Sequence, residues 1–386
     1  MNTILAAPVF LRIAVVFLMG GVLGAAANRA VDRLAWTPRP EVSQLRRSLV
    51  VLFSAIGAAL LYWWEVDRIG LVPAAFPGFL WPQLTVQLHA QWFCHLALAW
   101  LMLVASLIDA DERLIPDEIT VPGAIFGVLA ATIYPFAMLP VLWETPDGRP
   151  FVGFLHVASP HPWPTELGGA PRIGPLALAL TLWWLWSVGL MDRVWRSSWG
   201  WSWAVRLFVD RLVRSPSTRR LAVQGLIGSL AILFVWLWGD LAWQGMLTSL
   251  IGMAAGGGLI WMVRIIGAVT LQREAMGFGD VTLMAMIGSM LGWQSCVVIF
   301  FLAPVAGLFL GLLQWVLRRE NEIPYGPFLC LASITLIVGW RSVWAWLELT
   351  LGVLGGLVPL FVVGCLGLMA ALLSILRVVR DALSRP

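Results

Sequence analysis

Apolar runs of about twenty residues recur along this chain of 386, and they fix the class of fold before any motif is considered. A run of that length is what a helix needs to cross the hydrocarbon core of a bilayer. No water is available there to bond the backbone, so each run must fold as a helix. Composition agrees. Hydrophobic residues make up 60% and charged residues 12%, with a mean hydropathy of +0.86. Soluble domains hold roughly 45–50% apolar and 25% charged residues. Eleven spans can be read, at residues 8–28, 49–64, 91–108, 119–143, 175–191, 221–239, 246–268, 281–292, 296–317, 327–342 and 348–376. The expected fold is all-α, polytopic and membrane-embedded. No period of 20–50 residues recurs, which excludes a solenoid.

Charge placement orients the spans. Every basic residue is arginine, and none falls in the first eleven positions, whereas Arg29, Arg33, Arg39, Arg46 and Arg47 follow the first span. That asymmetry predicts a retained helix with its C-terminal end in the cytoplasm. A cleaved signal peptide, the competing reading, fits it less well. The N-terminus is then outside and the C-terminus inside. Residues 65–90, with Pro73, Pro77 and Pro82, read as an outer loop, and the Pro/Gly-rich stretch 144–174 as the longest one. Residues 192–220 interleave seven arginines with Trp195, Trp199, Trp201 and Trp203. Such interleaving can serve single-stranded nucleic acid. Between two spans it reads better as a cytoplasmic amphipathic helix on anionic lipid, and no nucleic-acid partner is expected.

Cys94, Cys296, Cys330 and Cys365 are isolated and apolar-flanked, and read as packing residues. They form no C-x-x-C pair, and the four histidines show no ligand spacing, so no metal site is expected. His156 and His161 lie in a Pro-rich stretch and are expected to be solvated.

Two acidic clusters stand at span boundaries. One is Gly277-Phe278-Gly279-Asp280, just before an apolar run; the other runs from Ile108 through Asp109, Asp111, Glu112 and Asp117 to Thr120. A carboxylate at a membrane face is costly and usually functional. The glycines beside Asp280 leave backbone open to another peptide chain. Two carboxylates in one partly dry site share a proton and can activate water. The span count places Asp109 and Asp280 on the same, cytoplasmic face. Alternatively, each is a boundary acid paired with Arg113 or Arg273, or the two are ion or proton sites of a transporter. Their position near one face, away from the midplane, weighs against the transporter.

These motifs resemble those of the type IV prepilin peptidases. Gly-x-Gly-Asp, preceded by Glu274-x-Met276, is similar to the family's second catalytic motif, and Asp109 with Pro116, Asp117 and Thr120 to its first. Ile323-Pro324-Tyr325-Gly326-Pro327-Phe328-Leu329 resembles its Pro-Phe-Gly-Pro-Phe stretch, and Asn28 with Arg33-Leu34 a weaker element of the first span. The resemblance covers roughly 91–143 and 245–342, with weaker support at 10–35. It implies an aspartic endopeptidase of the bacterial inner membrane, with Asp109 and Asp280 catalytic, that cleaves basic leaders from pilin-like or pseudopilin precursors. Gly277, Phe278, Gly279, Glu274, Asp111 and Asp117 are implied as substrate contacts. A Gly-x-Gly-Asp intramembrane protease with other substrates is the neighbouring alternative.

The organisation expected is 1–90 for the N-terminal spans, 91–143 and 245–342 for the two halves of the core, 144–244 as an insert, and 343–386 as a C-terminal span and tail. Many family members also N-methylate their product, using S-adenosylmethionine, and carry a cysteine-rich domain after the first span. Here residues 35–48 hold no cysteine and are too short for it, so no cofactor is expected. Thr282 stands where the family commonly has lysine. Nothing in the sequence fixes an oligomeric state.

Overall fold

The computed structural model describes residues 8–36, 43–72, 81–144, 147–148, 150–191, 200–272, 276–318 and 324–383. Helices α1 (Val9–Leu34) and α2 (Gln44–Tyr62) form an antiparallel pair. They meet at small residues: a Cβ on Gly20 would lie 2.7 Å from the Ser54 carbonyl oxygen, and one on Gly24 2.7 Å from Val51 Cα. Close approach of this kind is how helices associate where lipid removes the hydrophobic drive.

The outer loop expected over 65–90 is shorter than that. Helix α2 runs on into a π-turn at Trp63–Asp67, and α3 (Trp81–Glu112) has begun by residue 81. Pro82 falls in the first turn of α3, where its missing N–H removes no intrahelical bond. Helix α4 (Asp117–Ile133) stops short of the expected 143. A 3-10 turn at Pro135–Ala137 follows, then strands β1 (Pro140–Glu144) and β2 (Pro150–Phe154), which pair antiparallel with Leu142 opposite Val152. This hairpin is a small addition to an otherwise helical fold.

The chain continues through α5 (Ile173–Gly189), α6 (Trp201–Arg214), α7 (Pro216–Trp238), α8 (Asp240–Leu271), α9 (Phe278–Leu291) and α10 (Trp293–Arg318) to α11 (Gly326–Leu354) and α12 (Val358–Leu383). The break expected at 343–347 is absent. Trp340, Trp344, Leu347 and Leu351 are all buried, a spacing that keeps one face of α11 against the core through that stretch. The helix ends instead at Gly355-Gly356. Among the described residues, six helical stretches are long and apolar enough to cross a membrane, and Ile173–Gly189, Phe278–Leu291 and Trp293–Leu308 are shorter apolar helices. The protein is a multi-pass membrane protein.

Helix α9 sits at the centre, buried from Asp280 to Leu291. Glycines let its neighbours close on it. A Cβ on Gly252 of α8 would run into the Gly288 carbonyl oxygen, and one on Gly127 of α4 into the Ser289 hydroxyl. Ser249 Oγ also donates to the Ser289 carbonyl at 2.6 Å.

The connections sort to two ends. At one end Arg46 meets Asp111 and Arg377 donates to the Thr270 carbonyl. At the other, Trp243 donates to Leu167, Trp293 to Val157 and Trp236 to Arg172. His156, expected in solvent, is buried at this second end. It stacks on Trp143 at 5.1 Å and meets Trp163 edge-on, and burial lowers its pKa to about 4. His161 is exposed, as expected. Cys94, Cys296 and Cys330 are buried and all four thiols are free. His95 has a partner that its spacing did not reveal: Nδ1 lies 2.8 Å from Glu65 Oε1, and both side chains are buried.

Candidate active site

The two acidic motifs, far apart in sequence, converge at the first of these ends. Asp280 lies in the first turn of α9, where a helix N-terminus favours negative charge. The Gly277 backbone N–H donates to its carboxylate. Asp109 lies in the last turn of α3, an unfavourable end for an acid. The N-terminus of α11 compensates, because the Gly326 backbone N–H donates to the Asp109 carboxylate. Exposure is 5% for Asp109 and 8% for Asp280. Asp109 Oδ2 is buried and has no hydrogen-bond partner among the described residues.

Both carboxylates line an open pocket of about 580 Å³. Two glycines allow the approach. A Cβ on Gly279 would lie 2.7 Å from Ile115 Cβ, and one on Gly326 would lie 2.6 Å from Asp109 Oδ2. No side chain fits at either position without moving the loop after α3 or the Asp109 carboxyl itself.

A polar network locks α4 to α9 beside the pair. The Thr120 hydroxyl donates to Thr282 Oγ1 at 2.9 Å, and the Thr282 hydroxyl is 3.4 Å from Asp117 Oδ1 and 3.1 Å from the Gly279 carbonyl. Asp117 is the first residue of α4; the cap position is Pro116, and no side-chain bond caps it. The loop before Asp280 is held from behind by Arg264 of α8. Its Nε–H donates to the Met276 carbonyl at 3.1 Å and its guanidinium lies 5.7 Å from the centre of the Phe278 ring. Tyr325 also lines the pocket, its phenol pushed up to about 12 by burial and then by the Asp280 charge.

Of the residues singled out in the sequence, Asp109, Asp280, Gly277, Phe278, Gly279 and Asp117 line this pocket. Asp111 is turned away. Arg46 of α2 grips it with two bonds of 2.9 Å, fixing the start of α2 to the end of α3. Glu274 lies outside the described residues. Asn28 donates to the Arg47 carbonyl at 3.1 Å, and Asp32 pairs with Arg47, so this element ties α1 to α2. Sequence reasoning passed over Arg264, Ile115 and Trp36. Arg264 alone carried a signal, as an arginine inside a long apolar run. The Tyr325-Gly326-Pro327 turn starts α11, and its amide contact with Asp109 adds a second role.

Residues 96–155 and 217–312 match the type IV leader peptidase family, and these two segments carry Asp109 and Asp280. These two segments are what the chain shares with that family. The matched segments leave 156–216 between them, inside the expected insert, and end before the Pro324–Leu329 stretch. The prepilin leader peptidase/N-methyltransferase of Aeromonas hydrophila is 32% identical over 119 residues, covering 28% of this chain and 41% of that protein. Its namesake from Burkholderia pseudomallei is 34% identical over 107 residues, 27% of this chain and 34% of the relative. The one from Escherichia coli is 32% identical over 85 residues, 22% and 38% respectively. The chain thus matches 41% of the first relative's length and less of the other two. No solved structure matches this chain.

Proposed function

We propose that this protein is an aspartic endopeptidase that removes leader peptides from pilin-like or pseudopilin precursors at the cytoplasmic face of the bacterial inner membrane. The observation that carries this reading is the meeting of Asp109 and Asp280 in one pocket at the ends of three helices. The relatives' names support the substrate class.

Two carboxylates this buried and this close cannot both ionise easily, so one proton is shared between them. The ionised member takes a proton from a water, and the oxygen of that water bonds to the scissile carbonyl carbon. The protonated member donates to the carbonyl oxygen as the tetrahedral intermediate forms. Collapse breaks the C–N bond: the departing amine takes the proton gained from water, and a hydroxyl of the intermediate returns a proton to the other carboxylate, which leaves a carboxylic acid and restores the pair. Asp117 and Glu118 on the pocket wall suit a basic leader.

Methyl transfer is not part of the proposal. Only nine residues separate α1 from α2, too few for a domain, and no cysteine falls among them. A methyl group that appears on the mature amino terminus only when S-adenosylmethionine is supplied would overturn this point. Helix α6, with Arg206, Asp210 and Arg214 four residues apart and Trp203, Val205 and Val209 also exposed, is proposed to rest on anionic lipid.

The deciding experiment is co-expression with the host's own pilin-like precursors. Leader loss is expected with the natural protein and with Asp111→Asn, and none with Asp109→Asn or Asp280→Asn, all four inserting in the membrane. Full processing by either dyad variant would sink the assignment.

A further inference from the structure

We propose that an apolar groove between α2, α3 and α11 holds the substrate segment on the far side of the scissile bond, as a single membrane-embedded helix. This rests on the peptidase reading above and adds a second recognition element to it. The groove has a volume of about 790 Å³ and opens beside the catalytic pair. Ser106 at its mouth lies one turn before Asp109 on α3. Pro327, opposite, follows the glycine whose amide bonds Asp109. Pocket and groove therefore share a wall.

From its mouth the groove follows α3 from Ser106 back to Leu96 and α11 from Pro327 to Val338. At 1.5 Å per residue these walls are ~15 Å long, about three turns of a guest helix. Small residues keep it wide: Ala99 lines it, and a Cβ on Gly57 would meet nothing within 4 Å. Phe53, Leu60 and Leu331 present exposed apolar surface. The far end is closed by Trp64, whose Nε1–H donates to the Val338 carbonyl at 3.0 Å.

The occupant follows from the solvent. A peptide leaving the carboxylates toward Asp117 and Glu118 stays in a wet, acidic pocket and can remain extended. A peptide leaving along the groove enters apolar space, where its backbone must satisfy itself as a helix. The chemistry fits a precursor whose cleavage site is followed at once by apolar residues.

The test places a photoreactive side chain at Phe53 or Leu331 in the Asp280→Asn protein, with Val305 as control. Val305 is an exposed residue on α10 outside the groove. The protein is co-expressed with a pilin-like precursor that the natural enzyme cleaves. Cross-links from positions 53 and 331, recurring every three to four residues along the precursor's apolar segment and absent from 305, are expected. Filling the groove with Gly57→Trp should slow precursor cleavage about tenfold. Cross-links no stronger than the control, with cleavage by the natural enzyme intact, would mean that acyl chains alone fill the groove, and would overturn this inference only. Failure of the natural enzyme to cleave any precursor would overturn the peptidase reading itself.

Discussion

The Thr282 hydroxyl bridges the two halves of the site, accepting from Thr120 at 2.9 Å and donating toward Asp117 at 3.4 Å. It occupies the position where the resembling family commonly carries lysine. A neutral bridge thus does the positioning that a charged side chain could otherwise do, its single proton shared between Asp117 and the nearer Gly279 carbonyl at 3.1 Å.

Thr282 is buried, so Thr282→Val would remove its bonds without changing its volume much. The loss expected is about 1–3 kcal/mol of stability, with slower cleavage because α4 and α9 lose alignment at the carboxylates. Thr282→Ser should restore most of both. Thermal unfolding in detergent and precursor cleavage check it; natural behaviour of the valine variant would show the bridge to be idle.

The glycines give a sharper steric prediction. Gly326→Ala should abolish cleavage, because the new methyl meets the Asp109 carboxyl, and Gly279→Ala should act similarly through Ile115. Gly258→Ala, where a Cβ meets nothing within 4 Å, is the control and should leave activity within about twofold. Equal activity for all three would contradict the packing described.

His156 predicts an acid-sensitive hairpin. Its pKa falls from 6.5 to about 4 in the folded protein, because burial disfavours the charged ring and its Nδ1 accepts from the Ala158 N–H. The unfolded chain therefore binds more protons between those values. Stability is complete above pH 6.5 and is lost as pH falls toward 4. Hydrogen-exchange protection in 150–159, corrected for the intrinsic pH dependence of exchange, should fall over that window, and His156→Gln should flatten the dependence. Corrected protection that is level from pH 7 to 4 would contradict the assignment.

Sidedness is the fourth prediction, motivated by arginine placement and by the sorting of connections to two ends. Reporter fusions at residues 40, 205 and 320 should report cytoplasm, and a fusion at 160 the outer side. Opposite answers for 40 and 320 would show that the span count is off by one.

Much of this was legible in the sequence because the bilayer enforces it locally. The long apolar runs had to become helices, the end of 119–143 excepted, and both Asp109 and Asp280 could be found at run ends. What stayed hidden depends on contacts between distant residues. Glu65 and His95 are 30 positions apart and meet only after α2 extends through its π-turn. The reach of α11 past residue 342 was masked by Arg341 and Glu348, which hydropathy reads as a break although neither interrupts a helix. Likewise β1 and β2 lie in a proline-bearing stretch, and their pairing is a tertiary fact that no run of residues announces.

Helix α9 has no outward side: every residue from Asp280 to Leu291 is enclosed. Evolution can therefore remodel this protein at its rim, through the turn at Tyr325 or the loop at Met276, while the segment carrying Asp280 stays frozen. A substitution scan across 281–291 would read as a nearly unbroken row of losses, with glycine at 288 among the least replaceable. New substrate preferences would have to be acquired elsewhere in the chain.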